Sequence, residues 1–578
     1  MKRNNIIYIV SALMIILHAG CKKFLDYSPK GVVTLDILNT PEQADKLVIA
    51  AYASLGNDFG GTMPISNMWL YGAVRSDDAY KGGGSIADGG GGQLNALEQY
   101  NLVTTDMARI NDVWTLIYSG IARVNTALRQ IEKFDEAEYS KKKERVAEMR
   151  FVRGHYWFLL KTLFKYVPLA DESFSDDSLK YVSNRQYSND QGWEKIANEF
   201  QYAVDNLPEP QAEIGRASKL AAYAYLAKVR LYQAYEQNDQ NKVISINQAK
   251  LNDVVSLIDN VINSGKYALS DDFAKNFMLE YENGKESIFA IQFSLDDGTE
   301  IGRLNMGSSH NYSLAPGYGC CGWSQPSQNL VNAFKTDLAG LPMFDTFNIS
   351  EMKNPADFLV NGVDPRLDHT VGISGHPYKY KSTFVYSASW ARTPTIYGPY
   401  STMKEMLRPD DPGLRKVGPF FGTAKNSDII RYADVLLWKA EALIELGRQN
   451  EALPLINQLR VRARNSTGRL KKSDGTDPSN YRIETYVDGV NCTWTQDFAR
   501  KALQWERRLE FAMESPRFFD LVRWGIAAET LNGYLAIEKT RHSYLNNAFF
   551  TKGRDEYLPI PQDQINLTEG LYKQNNGW

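Results

Sequence analysis

Two neighbouring stretches with apolar residues at helical spacing constrain the fold of this chain most. Residues 431–446 place large apolar side chains on one face at the 3.6-residue period, and Gly447 directly after them suits a helix C-cap. Residues 450–464 repeat the pattern, and the arginines of their last turn favour the negative end of a helix dipole. A short glycine turn between two such helices predicts an antiparallel pair, which must bury its apolar faces against further elements.

Similar pairs recur along the chain. We predict about four of them, near residues 110–166, 190–235, 243–264 and 431–464. Each pair resembles a tetratricopeptide unit, and stacking such units buries faces that a single pair leaves exposed. The predicted fold class is therefore mainly α, a tetratricopeptide-like right-handed α-superhelix.

Two long stretches lack this helical period. Residues 58–100 contain the glycine runs 82–84 and 89–92, and residues 293–428 are rich in Gly, Pro, Tyr, Ser and Trp. Loops this long in a compact domain tend to be functional, and binding residues usually lie on loops held by a rigid frame. We therefore expect the functional residues in these two stretches.

The N-terminus has the layout of a bacterial lipoprotein signal. The basic residues Lys2 and Arg3 precede an apolar run at 6–17, and small residues at 19–20 precede Cys21. The apolar run is too short to span a bilayer, which takes about 17–25 residues. We predict that residues 1–20 are removed and that Cys21 carries acyl chains that anchor the protein. The alternative is an ordinary secretory signal with an incidental cysteine, and His18 stands where lipoprotein signals usually have an aliphatic residue.

Charge and cysteine content exclude several other classes. The chain has 578 residues, a net charge of −3 and 23% charged residues, so nothing indicates a nucleic-acid partner. Besides Cys21 it has only Cys320, Cys321 and Cys492, which do not make a disulfide framework. The adjacent pair can close only a strained eight-membered ring, which an exported protein could retain. Metal binding is less favoured, because no histidine or second cysteine pair lies at ligand spacing.

Catalytic motifs are mostly absent from the sequence. It has no His-Glu-x-x-His, nucleophile elbow or phosphate-binding loop ending in Gly-Lys-Ser/Thr. Residues 82–87 fit a dinucleotide fingerprint only formally, because no strand, helix and spaced acid frame them. Asp77 and Asp78 could form a glycosidase pair, but a structural role is favoured. We therefore predict a protein with neither catalytic activity nor a cofactor.

Residues 505–525 mix many charged with many aromatic side chains. Arg507 and Glu510 are three residues apart, as are Asp520 and Arg523, so each pair can meet on one helical face. Charges among aromatic residues predict a paired, partly buried network rather than a catalytic dyad.

These features, together with several short motifs, closely resemble the SusD/RagB family of Bacteroidetes outer-membrane lipoproteins. The resemblance covers nearly the whole chain and rests on residues 21–26, 76–83, 149–154, 325–334, 364–367, 431–437, 505–525 and 557–561. It implies a signal peptide at 1–20, an N-terminal region at 21–280 and a C-terminal region at 281–578. The C-terminal region would hold a capping subdomain of loops near 293–428, the helix pair at 431–464 and the C-terminal motif.

The resemblance also implies a function. Family members are lipid-anchored to the outer membrane at the cell surface, bind oligosaccharides, and close them over a SusC-like TonB-dependent transporter. They have no catalytic activity of their own. Capture of another glycan, or of peptides as in the RagB branch, is the alternative, and a scaffold without a ligand site also remains open.

Within the family, the chain looks most like the fructan (levan)-binding branch. The shared points are residues 74–78, the run that begins at 88, the cysteine pair and residues 390–392. The resemblance implies sugar contacts from Asp58, Asp88, Cys320, Cys321 and Arg392.

The other candidate positions concern side chains with a flat face on which a sugar ring can stack. Met107 stands where that branch has a tryptophan, and Phe420 where it has a tyrosine, so a stacking face and a hydroxyl are lost. Trp323, Trp390 and Tyr397 are predicted to offer such faces. For Trp390 and Tyr397, packing inside the capping loops is the alternative.

Overall fold

The computed structural model describes residues 40–56, 64–298 and 303–578. The predicted signal peptide, Cys21 and Asp58 lie outside the described residues. Within them, no helix combines the length and the apolar character that crossing a membrane requires.

Helices dominate the described part of the chain. They are α1 (Pro41–Ser54), α2 (Trp69–Gly72), α3 (Gln93–Gln99), α4 (Ala108–Ile131), α5 (Lys142–Phe164), α6 (Asp176–Leu179), α7 (Asn189–Asn206), α8 (Lys219–Ala234), α9 (Gln248–Asn263), α10 (Gln328–Ala333), α11 (Pro355–Val360), α12 (Arg366–Thr370), α13 (Pro394–Tyr397), α14 (Tyr432–Glu445), α15 (Gln449–Arg464), α16 (Gln496–Glu510), α17 (Arg517–Arg523), α18 (Ala527–Arg541) and α19 (Gln562–Leu567).

The strands are short and pair two by two, all antiparallel. They are β1 (Ala79–Gly82) with β5 (Trp323–Pro326), β2 (Tyr235–Gln237) with β3 (Val243–Ile246), β4 (Ser287–Ile291) with β14 (Ser427–Arg431), β6 (Lys335–Thr336) with β7 (Gly362–Val363), β8 (Val371–Gly372) with β11 (Ser401–Thr402), β9 (Pro377–Tyr378) with β10 (Lys381–Val385), and β12 (Leu414–Val417) with β13 (Phe420–Thr423).

The long helices stack in pairs, which confirms the predicted mainly α, tetratricopeptide-like fold class. Helix α4 packs on α5, α7 on α8, and α14 on α15, while α1 covers α4 and α16 covers the last pair. Gly447, at φ +74°, ends the turn after α14, and its N–H donates to the carbonyl of Ile444. The pairs predicted at 110–166, 190–235 and 431–464 are therefore present.

The pair predicted at 243–264 is wrong. Residues 243–246, with the sequence Val-Ile-Ser-Ile, form strand β3, and only α9 follows. The β-branched run favours a strand, and Asn247 starts the helix by accepting hydrogen bonds from the N–H groups of Ala249 and Lys250. Helix α9 instead packs between α8 and α14, so it joins two neighbouring pairs.

The loop-rich stretch differs from this frame. In its described residues, 293–298 and 303–428, no helix is longer than the six residues of α10 and α11. Strand β5 from this stretch pairs with β1 from the first half of the chain, and Gly82 lies opposite Trp323. A buried apolar core that runs through the helix pairs also includes Cys321, Trp323 and Val363, so the loops are fixed to the helical frame.

The charges of the 505–525 motif form a network that is buried rather than partly buried. Asp520 and Arg523 pair as predicted, with Oδ1 2.9 Å from Nη2. The predicted contact between Arg507 and Glu510 is wrong. Arg507 Nε donates to Asp520 Oδ2 at 2.7 Å, and Glu510 accepts from Arg462 Nη2 at 2.6 Å. Helices α17 and α15 bring these partners into the core, where they replace the same-helix pairing.

Candidate functional site

The glycine-rich segment after β1 forms a tight loop over residues 82–92. Gly83 has a φ of +86° and donates its N–H to the carbonyl of Gly322 at 2.7 Å. A Cβ atom on Gly83 would lie 2.5 Å from Trp323 Nε1 and 2.7 Å from Asp88 Oδ2. Only glycine allows both this backbone conformation and this close approach. The glycine run therefore has a geometric function that brings the loop against β5.

Asp88 is fixed inside this loop by two donors. Its Oδ2 accepts hydrogen bonds from the Gly84 N–H at 2.8 Å and from Trp323 Nε1 at 3.2 Å. Burial raises the pKa of Asp88, but these hydrogen bonds and the charges of Lys81 and Arg392 outweigh it, so that its pKa lies below the ordinary value. Asp88 is therefore an ionised, half-buried carboxylate at neutral pH.

The Arg392 guanidinium lies on the other side of Gly84. A Cβ on Gly84 would be 3.1 Å from Arg392 Nη2, and the Arg392 carbonyl accepts a hydrogen bond from Gln325 Nε2 at 2.9 Å. Within the described ranges, no hydrogen bond or ion pair of the protein holds the guanidinium, which is half-buried. Among the described residues its N–H donors thus stay available, and its charge acts on the carboxylate of Asp88.

The cysteine pair borders the cluster that Asp88, Trp323 and Arg392 form. Cys320 and Cys321 are joined by a disulfide and directly precede Gly322 and Trp323. Cys321 is buried, whereas Cys320 is half-buried. The disulfide therefore lies at the edge of the cluster, on the segment that positions Trp323.

His310 connects Phe420 to the cluster. Its ring stacks on Trp323 with a centroid distance of 4.5 Å and an interplanar angle of 12°, and it also contacts Phe420 at 4.5 Å. Phe420 begins strand β13 and is half-buried. Sequence reasoning missed His310, because it lies in an irregular stretch where no spacing or motif identifies it.

Three aromatic candidates differ in how they are placed. Trp323 is 4% exposed and Tyr397 is fully buried, so the prediction that they offer open stacking faces is wrong. Trp323 instead uses its indole N–H to hold Asp88, and Tyr397 packs against Tyr544 with centroids 5.2 Å apart. Trp390 is half-buried and packs on Phe384 at 5.1 Å.

Met107 lies apart from the cluster. It is 7% exposed, directly precedes α4 and lines a groove of about 420 Å³ beside the far end of the glycine loop. The groove is also bordered by Ile86, Gly92 and Gln93. A buried methionine cannot replace the flat, open face of a tryptophan.

Two other features carry no candidate site. Asp77 and Asp78 are buried and paired with arginines: Arg517 Nε lies 2.8 Å from Asp77 Oδ1, and Arg508 Nε lies 3.3 Å from Asp78 Oδ1. The structural interpretation of this acid pair is therefore confirmed. A cavity of about 170 Å³ between the helix pairs and the loops is lined by Arg507 and Asp520 of the C-terminal motif but by none of the predicted sugar-contact residues. Among the described residues, no cluster of His, Cys, Asp and Glu could hold a metal ion.

Comparison with known proteins places the chain among relatives of similar length. SusD-like protein P25 of Formosa agariphila is 22% identical over 600 residues and covers 100% of both chains. Surface glycan-binding protein A of Bacteroides fluxus has a TM-score of 0.67 at 22% identity, covering 93% of this chain and 100% of its own. Surface glycan-binding protein A of Bacteroides thetaiotaomicron, in complex with laminarihexaose, has a TM-score of 0.65 at 19% identity, with coverages of 93% and 100%.

Two family models account for most of the sequence. A model described as starch-binding associating with outer membrane matches residues 23–231. The model of the SusD family matches residues 285–578, just over half of the chain. With this match and the shared helical fold, the chain belongs to the SusD family.

Proposed function

We propose that this protein is a cell-surface lipoprotein that captures oligosaccharides, fructans first among them, and delivers them to a SusC-like TonB-dependent transporter. The observation that carries the proposal is the pairing of Asp88 and Arg392 across Gly84. An ionised carboxylate and an arginine whose guanidinium makes no hydrogen bond or ion pair with the described residues lie side by side at the glycine loop.

This pairing suits the hydroxyl groups of a sugar. Adjacent hydroxyls can donate to a carboxylate and accept from a guanidinium, and hydrogen bonds to charged groups are about twice as strong as neutral ones. The opposite charges of the two groups leave the cluster without a strong preference for a charged ligand. Half-buried Phe420 and Cys320 at its edge supply apolar contact for the C–H faces of a sugar ring.

A glucan is the second candidate ligand. One structural neighbour is in complex with laminarihexaose, and the first matched segment is described as starch-binding. This chain also departs from the fructan-binding branch at two positions, where Met107 replaces a tryptophan and Phe420 replaces a tyrosine. The choice between fructan and glucan therefore depends on measurement.

The lipid anchor at Cys21 and the SusC-like transporter are part of the same proposal. Cys21 would carry the acyl chains, and the helical frame would hold the glycine loop over the transporter. Transport requires the protein to bind and release its cargo unchanged, so the proposal includes no catalytic step and no cofactor.

Isothermal titration calorimetry tests the proposal. The mature chain is titrated with levan-type and inulin-type oligosaccharides, with laminarihexaose, and with a peptide mixture as the competing ligand class. We expect Arg392→Ala and Asp88→Asn each to weaken glycan binding about ten- to one-hundred-fold, the loss of one charge-assisted hydrogen bond. Arg448→Ala is the matched control, because Arg448 forms an exposed ion pair with Glu451.

Two outcomes would contradict the proposal. The first is heat released with peptides and none with any glycan. The second is glycan binding that neither Arg392→Ala nor Asp88→Asn changes, which would place the sugar elsewhere on the protein.

A further inference from the structure

We propose that Lys81 is a positioning residue for the candidate site, because its ammonium group holds the glycine loop in the shape that presents Asp88. Loop order and ligand affinity should then depend on the charge of Lys81. The part that concerns affinity rests on the proposed function, whereas the part that concerns loop order does not.

The contacts of Lys81 place it inside the loop. The residue is fully buried, and its Nζ donates to the carbonyl of Ser85 at 2.7 Å and to the carbonyl of Asp88 at 3.1 Å. Since the carboxylate of Asp88 also accepts from the Gly84 N–H, the segment from Gly84 to Asp88 closes around the ammonium group. Lys81 is therefore the donor that joins the two arms of the loop.

Charged and titratable groups face Lys81 from several elements. Glu98 of α3 is 3% exposed and accepts from the Lys81 backbone N–H at 3.2 Å and from the Tyr544 hydroxyl at 2.6 Å. The ring of Tyr397 lies 5.3 Å from Lys81 Nζ, and Asp88 is the acid on the loop itself.

A second layer of charges lies behind these groups. Glu538 of α18 acts on Glu98 and accepts a hydrogen bond from the Tyr80 hydroxyl at 2.6 Å. Arg541 pairs with Glu538, and Arg392 acts on Asp88 from the ligand side. These groups, with those named above, define the electrostatic surroundings of the ammonium.

Burial sets the direction of the pH effect. It lowers the pKa of Lys81 to about 8, although Glu98 and Asp88 act in the opposite direction. Burial also raises the pKa of Glu98 to about 7, against the hydrogen bonds from Tyr544 and from the Lys81 N–H and the charge of Lys81. As the pH rises through 8, Lys81 loses its charge, and two charge-assisted hydrogen bonds become ordinary ones.

Hydrogen–deuterium exchange of the full mature chain tests the loop directly. Exchange of the peptide covering residues 83–92 is compared at pH 6.5 and pH 9, with labelling times scaled for the intrinsic rate. We expect scaled exchange to be about five- to twenty-five-fold faster at pH 9, about five-fold for each of the two hydrogen bonds that change from charge-assisted to neutral. Lys81→Met should show the fast exchange at both pH values, and the exposed Lys46→Met is the matched control.

Glu98→Gln gives an independent check on the electrostatics. Because Glu98 raises the pKa of Lys81, its neutral replacement should move the exchange transition to lower pH. Equal exchange of wild type and folded Lys81→Met at both pH values would overturn the proposal, as would a wild-type loop whose scaled exchange is independent of pH. The pH dependence of exchange is measured on the wild-type protein, so the proposal can be tested even if Lys81→Met misfolds.

Calorimetry then separates this proposal from the proposed function. If a glycan binds, its affinity should fall about five-fold from pH 7 to pH 9 in wild type and stay constant in Lys81→Met. Glycan binding without that pH dependence would refute the role of Lys81 in positioning and leave the glycan function intact. If no glycan binds at any pH, the proposed function fails, and the exchange experiment still decides whether Lys81 orders the loop.

Discussion

Replacing Glu510 by glutamine should destabilise the protein strongly, because this carboxylate neutralises three arginines in the core. Its Oε1 accepts from Arg462 Nη2 at 2.6 Å and from Arg431 Nη1 at 3.1 Å, while its Oε2 accepts from Arg366 Nη1 at 3.2 Å. Glu510 and Arg366 are fully buried, and the other two arginines are nearly so. Glutamine would keep one acceptor but turn an N–H₂ donor toward a guanidinium.

The size of the effect follows from the burial. Removing one partner of a buried ion pair costs about 3–5 kcal/mol. Each of the three arginines keeps another carboxylate, but the buried network loses one of the negative charges that balance them. We therefore expect Glu510→Gln to lower the free energy of unfolding by about 3–5 kcal/mol, as measured by equilibrium urea unfolding followed by circular dichroism. The matched control is Glu451→Gln, which removes an exposed partner of Arg448 and should leave the unfolding midpoint unchanged.

The pH dependence provides a second test of the same reasoning. Burial raises the pKa of Glu510, but Arg462, Arg431, Arg366 and Lys404 outweigh it and hold that pKa well below its usual range. A carboxyl with a depressed pKa stabilises the fold above its unfolded pKa of about 4.3, and this contribution is lost as the pH falls further. The difference between wild type and Glu510→Gln should therefore shrink below pH 4. A loss under about 1 kcal/mol at pH 7, or a loss that does not change with pH, would refute the argument.

The remaining predictions concern the glycine loop and the anchor. Gly83→Ala should abolish glycan binding measured by calorimetry, because its Cβ would collide with Trp323 and Asp88, whereas Gly91→Ala, also at positive φ but with no atom within 4 Å of its Cβ, should retain it. Equal losses of glycan binding in both variants would show that backbone strain at positive φ, and not the collision with Trp323 and Asp88, causes the loss. Cys21→Ser should abolish the incorporation of labelled palmitate and release the protein from the outer-membrane fraction. An unlabelled wild-type protein would refute the predicted anchor.

The helical frame could largely be predicted from the sequence. The 3.6-residue period and Gly447 identified the pair at 431–464, because a helix that buries one face leaves a visible pattern. The pair predicted at 243–264 was wrong because three of the four residues before Asn247 are β-branched and these four residues form a strand against β2. The partners of Glu510 could not be predicted either, because they come from three separate places in the chain: α15, the first residue of α12 and the residue before α14.

The candidate site was only partly predictable. Asp88, the cysteine pair and Arg392 came from the family resemblance, and the structure brings these three segments together at the glycine loop. Burial of Tyr397 was the alternative left open from the sequence, whereas burial of Trp323 was not predicted, because an aromatic residue in an irregular stretch has the same sequence signature whether it packs inside or lies at the surface. Lys81 and His310 were missed because their importance depends on contacts that no local pattern encodes.

The pairing of β1 with β5 has a consequence for biogenesis. Asp88 comes from the part of the chain made first, but Trp323 and Arg392 are translated more than two hundred residues later. A polypeptide that terminates early would carry the glycine segment without the strand that shapes it. On the proposed function, a truncated or incompletely exported molecule would therefore be unable to bind cargo. Binding would require that β1 and β5, from the two halves of the chain, have paired.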